Sequence, residues 1–149
     1  MTDIAGSGGC PVGRSGRWLL VGWSLFVLGG FSLALALEPD PRGFGTHQRL
    51  GLPPCTFRML WSIPCPSCGM TTCFSHLMHG NFSQAVRANT GGVVLAAVCA
   101  ALVPWSWWSA LRGRLVGVAD PGKSLLWLML SVGGVCLVNW IFQLVQPHL

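Results

Sequence analysis

The sequence predicts an all-α integral membrane protein, and two observations carry that reading. Only 9% of the 149 residues are charged, against about 25% in ordinary soluble domains, while 52% are hydrophobic. The charged residues bracket three long charge-free windows. The architecture expected is three transmembrane helices, with a re-entrant or interfacial segment and an amphipathic helix between the first two. A chain of this length suits one domain, placed over residues 18–146 behind a disordered tail at 1–17 that is rich in Gly and Ser.

The first span runs from Trp18 to Leu37, twenty uncharged residues or about 30 Å of helix, the thickness of a hydrocarbon core. Arg14 and Arg17 precede it and Glu38-Pro39 ends it. A rival reading takes the two arginines as a signal-peptide head and Ala34-Leu35-Ala36 as a cleavage site, although the apolar run is long for that role. Residues 38–48 form a polar turn region broken by Pro39, Pro41, Gly43 and Gly45. Leu50 to Ile63 is apolar, too short to span, and interrupted by Pro53-Pro54 and Arg58. It reads as the interfacial segment, with Arg58 reaching toward water or phosphate.

A helix is expected from Cys68 to His79, with Met70, Cys73, Phe74, Leu77 and Met78 on one side. Cys68, Thr72, Ser75, His76 and His79 fall on the other, which reads as a wet polar face. Thr71 and Thr72 could donate to carbonyls in its first turn. Gly80-Asn81 ends it, and Ser83 could cap a short helix through Ala88. The second span covers residues 91–111, with Trp105, Trp107 and Trp108 near its end as interfacial anchors and Pro104 as a kink or a stop. Asp120-Pro121-Gly122 is a turn, and the third span covers 124–145. Asn139, polar inside it, is expected to face another helix.

Three spans put the termini on opposite sides. Five Lys/Arg lie on the amino-terminal side and four on the other, so the amino terminus is placed in the cytoplasm and the cysteine region (residues 50–89) outside the cell membrane. The net charge of +5 comes from scattered arginines, which gives no support to nucleic-acid binding. The expected partners are the lipid bilayer and, through Gly-rich helix faces, a second copy or another membrane protein.

Chemistry concentrates at Cys65-Pro66-Ser67-Cys68-Gly69-Met70-Thr71. A Cys-x-x-Cys pair followed by Gly can fold as a knuckle that places two thiolates on one metal ion, and Gly69 permits the turn. Zinc is the ion such a knuckle would take, with Cys55, Cys65, Cys68 and His76 as the preferred ligand set and Cys73 and His79 as the other residues that could complete it. Two of Cys55, Cys65, Cys68 and Cys73 could instead form a disulfide pinning the interfacial segment to the helix. A third chemistry is thiol–disulfide exchange by Cys65 and Cys68, the thiols at a helix amino terminus having a lowered pKa. No carboxylate pair lies near the motif, and no Ser-His-Asp set, phosphate loop or dinucleotide fingerprint occurs. The leading reading is therefore a non-enzymatic membrane component with a structural cysteine knuckle, metal-bound or disulfide-bonded. The alternative is a membrane thiol–disulfide oxidoreductase.

Cys55, Phe57, Cys65, Pro66, Cys68, Gly69, Thr71, Gly80, Asn81 and Asn89 together resemble the hallmark of an uncharacterised family of small bacterial membrane proteins. The resemblance covers residues 47–92. Thr72 stands where that family usually has Arg, and Thr90 where it usually has Pro. The family has no established activity. The resemblance implies a membrane location and a structural role for Gly69, Thr71, Gly80 and Asn89 beside the cysteines.

Overall fold

A computed structural model describes residues 9–145. Among the described residues the fold is all-α apart from one two-stranded ribbon. Three helices are long and apolar enough to cross a membrane: α1 (Arg14–Ala36), α5 (Thr90–Arg112) and α6 (Pro121–Val145). Between α1 and α5 lie a 3-10 turn (Thr46–Leu50), α2 (Thr56–Trp61), α3 (Met70–Met78) and α4 (Phe82–Ala88). Helix α1 packs on α5 and α3, and α5 packs on α6.

The long helices begin earlier than the charge-free windows, for local reasons. Asp120 accepts a hydrogen bond from the Lys123 amide at 3.1 Å, and Pro121 follows as the first helical residue, where its fixed φ and missing N–H cost nothing. Asn89 caps α5 by accepting from the Gly92 amide at 2.8 Å. Pro104 lies inside α5, and the helix continues through it to Arg112.

Residues 9–17, expected within a disordered tail, are structured, while residues 1–8 lie outside the described range. Strand β1 (Gly9–Pro11) pairs antiparallel with β2 (Arg114–Val116), Cys10 opposite Leu115. Gly9 makes this possible: a Cβ there would stand 2.4 Å from the Leu115 carbonyl oxygen. The ribbon is tied to α5, since Trp105 Nε1 donates to the Val116 carbonyl at 3.0 Å and the Val116 amide donates to Ser109 Oγ at 3.3 Å.

The interior is made of small and polar residues. Cys73, Ala85 and Ala88 form the buried apolar cluster, with Leu77 and Val93 against it. Close approach is allowed by glycine: a Cβ on Gly91 would stand 3.1 Å from the Cys136 Cα, and one on Gly92 3.1 Å from the Cys73 sulfur. Apolar bulk faces outward, and Leu125, Trp127, Met129, Ile141 and Phe142 of α6 are all exposed, as lipid contact requires. Met59, Leu60 and Trp61 of α2 are exposed in the same way.

Helix α3 departs from the sequence reading. It starts at Met70 because Gly69, at φ +79°, breaks the backbone path, and on its polar side Thr72 and Ser75 are buried while His79 is exposed. Thr72 meets Thr46 hydroxyl to hydroxyl at 2.8 Å, and Thr46 accepts from the Asp40 amide at 3.1 Å. Ser75 donates to the Leu37 carbonyl. These tertiary partners, from residues 37–46, convert part of a solvated face into a packed one. The α3 terminus closes as expected: the Asn81 amide bonds to the His76 carbonyl at 2.8 Å and the Gly80 amide to Leu77 at 3.0 Å, with Gly80 at φ +75°. Helix α4 starts at Phe82 after Asn81, so Ser83 lies within its first turn rather than before it.

Candidate functional site

The site lies at the end of the helices where α1 stops, α5 starts and α6 finishes. The Cys65–Cys68 segment forms a turn, the Cys68 amide donating to the Cys65 carbonyl at 2.9 Å. Gly69 then leaves in the left-handed region, wedged against the carbonyls of Ala88 and Gly43. Asn89 fixes the far side of the turn. Its Nδ2 donates to the Cys68 carbonyl at 2.9 Å, and its Oδ1 accepts from Asn139 Nδ2 at 3.1 Å. Trp140 Nε1 donates to the Pro64 carbonyl at 2.8 Å. Asn139 thus faces another helix as expected, and α6 buttresses the cysteine segment.

Cys55, Cys65 and Cys68 line one cavity of about 310 Å³. The Cys55 and Cys65 thiols share the wall of this cavity and shift each other's pKa. The Cys55 thiol sits below its ordinary pKa because the Arg58 backbone N–H donates to it; burial opposes this, and the Cys65 thiol adds to it. Cys65 is pushed up by burial first and by the neighbouring Cys55 thiol second. Cys73 lies apart from the three, fully buried, and burial pushes its thiol up to about 12. In the reduced protein, iodoacetamide at pH 7.5 is expected to modify Cys55 before Cys65 and to leave Cys73 untouched until unfolding. Peptide mass mapping over time reads this order.

Two expected residues are placed differently from one another. Thr71 lines the thiol cavity, whereas His76, expected as the fourth metal ligand, lines a neighbouring groove. The histidine that shares the cavity with the three thiols is His47. Among the described residues, no group of three or more Cys, His, Asp or Glu side chains is arranged to hold a metal ion. All seven cysteines are free thiols in this structure.

The cavity also has basic neighbours that sequence reasoning did not join to the cysteines. The Arg58 guanidinium lies 3.5 Å from the centre of the Phe44 ring, with Arg42 on the same ring at 5.3 Å. Arg42 forms a forked pair with Asp40, at 2.7 and 3.0 Å. That pair holds the Asp40 carboxyl down at about 2, against burial that would raise it. A carboxyl depressed in the folded state stabilises the fold above its unfolded pKa, here 3.8, and loses that contribution as pH falls toward 2. Thermal unfolding between pH 6 and 2 should therefore show a drop below pH 4 that is smaller in Arg42→Gln than in the wild type.

No curated protein and no solved structure is significantly similar to the chain. Over residues 55–103, about a third of its length running from Cys55 through most of α5, the chain matches a family described as protein of unknown function (DUF2752).

Proposed function

We propose that the chain is a non-catalytic membrane component whose cysteine segment is tied by a structural disulfide between Cys55 and Cys65. Their shared position carries the reading: Cys55 and Cys65 line the same cavity, and each thiol shifts the pKa of the other, as near neighbours do. The bond would close a loop of about ten residues containing α2 and would stabilise the fold by roughly 2–3 kcal/mol. Its formation releases two protons and passes two electrons to the disulfide of an oxidising thiol-exchange protein. That chemistry suits the outer side of the cell membrane, where the arginine count places this segment, with the amino terminus in the cytoplasm.

Reductant provides the test. Dithiothreitol is expected to lower the apparent melting temperature of the wild type and of Cys68→Ser in detergent. It should have no effect on Cys55→Ser or Cys65→Ser, which start at the lowered value. An equal response in all four proteins would contradict the reading. About one zinc per chain by elemental mass spectrometry would replace it with a metal site, for which Cys55, Cys65, Cys68 and His47 share the cavity.

One observation favours thiol exchange as a second reading. Cys65 and Cys68 sit at the two ends of one turn and line the same cavity, so Cys68 is placed to attack a bond made at Cys65. Cys68→Ser would then accumulate a mixed disulfide with a partner protein, visible on non-reducing gels. Gly29, Gly30, Gly133 and Gly134 meet nothing within 4 Å inside the chain, and assembly with a second copy would use these faces.

A further inference from the structure

A second cavity, a groove of about 910 Å³, opens beside the thiol cavity and shares Arg42, Phe44, Arg58, Cys68 and Gly69 with it. It lies between α4, the end of α6 and the 41–44 loop, beside the first residue of α5. Three arginines line it (Arg42, Arg58 and Arg87), and no carboxylate does. Arg42 is committed to Asp40, but among the described residues neither Arg58 nor Arg87 has a carboxylate partner.

The same groove gathers side-chain atoms that the protein leaves unsatisfied. Among the described residues, three buried side-chain polar atoms lack a hydrogen-bond partner: Arg58 Nε, His76 Nδ1 and Gln143 Oε1. All three belong to residues lining this groove. Such an atom is costly unless something pairs with it, and three at one place define a complementary ligand. Arg58 Nε asks for an acceptor, Gln143 Oε1 asks for a donor, and a neutral His76 ring can serve either. The Arg58 guanidinium is held against the Phe44 ring, which fixes its plane.

We propose that this groove binds a phosphate ester carrying a free hydroxyl. Arg58 and Arg87 hold the phosphate oxygens, and the hydroxyl donates to Gln143 Oε1. The ligand is either an anionic lipid headgroup of the glycerol-phosphate kind or a soluble polyol phosphate. Exposed Phe142 and Val86 at the rim would meet an acyl chain in the first case.

The test uses the full chain in mild detergent, titrated with phosphatidylglycerol and, separately, with glycerol 3-phosphate, with binding followed by native mass spectrometry. Saturable binding of at least one probe is expected, weakened about tenfold or more by Arg87→Gln, whose exposed side chain leaves the core intact. Arg58→Gln should match it, and if that variant fails to fold, Arg87→Gln decides alone. Binding of phosphatidylglycerol only assigns the groove to lipid, and binding of both assigns it to the phosphate ester itself. Gln143→Leu should weaken phosphatidylglycerol but leave phosphatidic acid, which lacks the hydroxyl, unchanged. No saturable binding of either probe, or binding unaltered in Arg87→Gln, would overturn the proposal.

Discussion

Gly69→Ala is expected to abolish recovery of folded protein, with a cost above about 3 kcal/mol. Two effects add. The φ of +79° disfavours any L side chain by about 1–2 kcal/mol. A Cβ would also stand 2.4 Å from the Ala88 carbonyl oxygen and 2.8 Å from that of Gly43, and both are backbone atoms that cannot swing aside. Gly80 separates the two effects. Its φ is nearly the same at +75°, but nothing lies within 4 Å of its missing Cβ. Gly80→Ala should therefore cost only about 1–2 kcal/mol and remain purifiable. Monodisperse yield by fluorescence-detected gel filtration measures both. Equal behaviour of the two variants would show that the close packing of Gly69 between the 43 loop and α4 is not maintained in solution.

Asn89→Ala carries the second-largest effect. The residue is 2% exposed, and its side chain makes three hydrogen bonds, to the Cys68 carbonyl, the Gly92 amide and Asn139 Nδ2. Alanine leaves the carbonyl and the amide buried without partners and removes the cap of α5, a loss of about 3–5 kcal/mol. Asn139→Ala removes only the outermost of the three bonds and should cost about 1 kcal/mol. Scanning fluorimetry on the tryptophans in detergent can rank them. Asn89→Ala should melt far below Asn139→Ala, and a reversed order would mean that α6, not the α5 cap, holds the cysteine turn.

Much of the fold was legible because lipid-facing helices declare themselves by what they lack. Charge-free windows of twenty or more residues located α1, α5 and α6, and polar Asn139 inside one of them announced an interhelical contact. Gly69, Gly80 and Asn89 were legible as motif positions, and the structure supplies the reason for each. The ribbon at Gly9–Pro11 and Arg114–Val116 was not legible, because three-residue strands carry no period and their pairing joins segments far apart in the sequence. The buried part of the polar side of α3 was misread for a related reason. Its Thr72 and Ser75 are satisfied by Thr46 and Leu37, residues that helical periodicity cannot bring into view. His47, Arg42 and Arg58 belong with the cysteines only through folding of the loop. His76, which neighbours the motif in sequence, turns toward the arginine-lined groove instead.

The most direct measurement is a non-reducing peptide map of protein alkylated in intact membranes before solubilisation. A Cys55-containing peptide linked to a Cys65-containing peptide is the predicted result. It would establish that these two cavity-lining thiols are the tie that closes the segment around α2. Recovery of both peptides singly alkylated, or of a bond joining Cys65 to Cys68, would contradict the account.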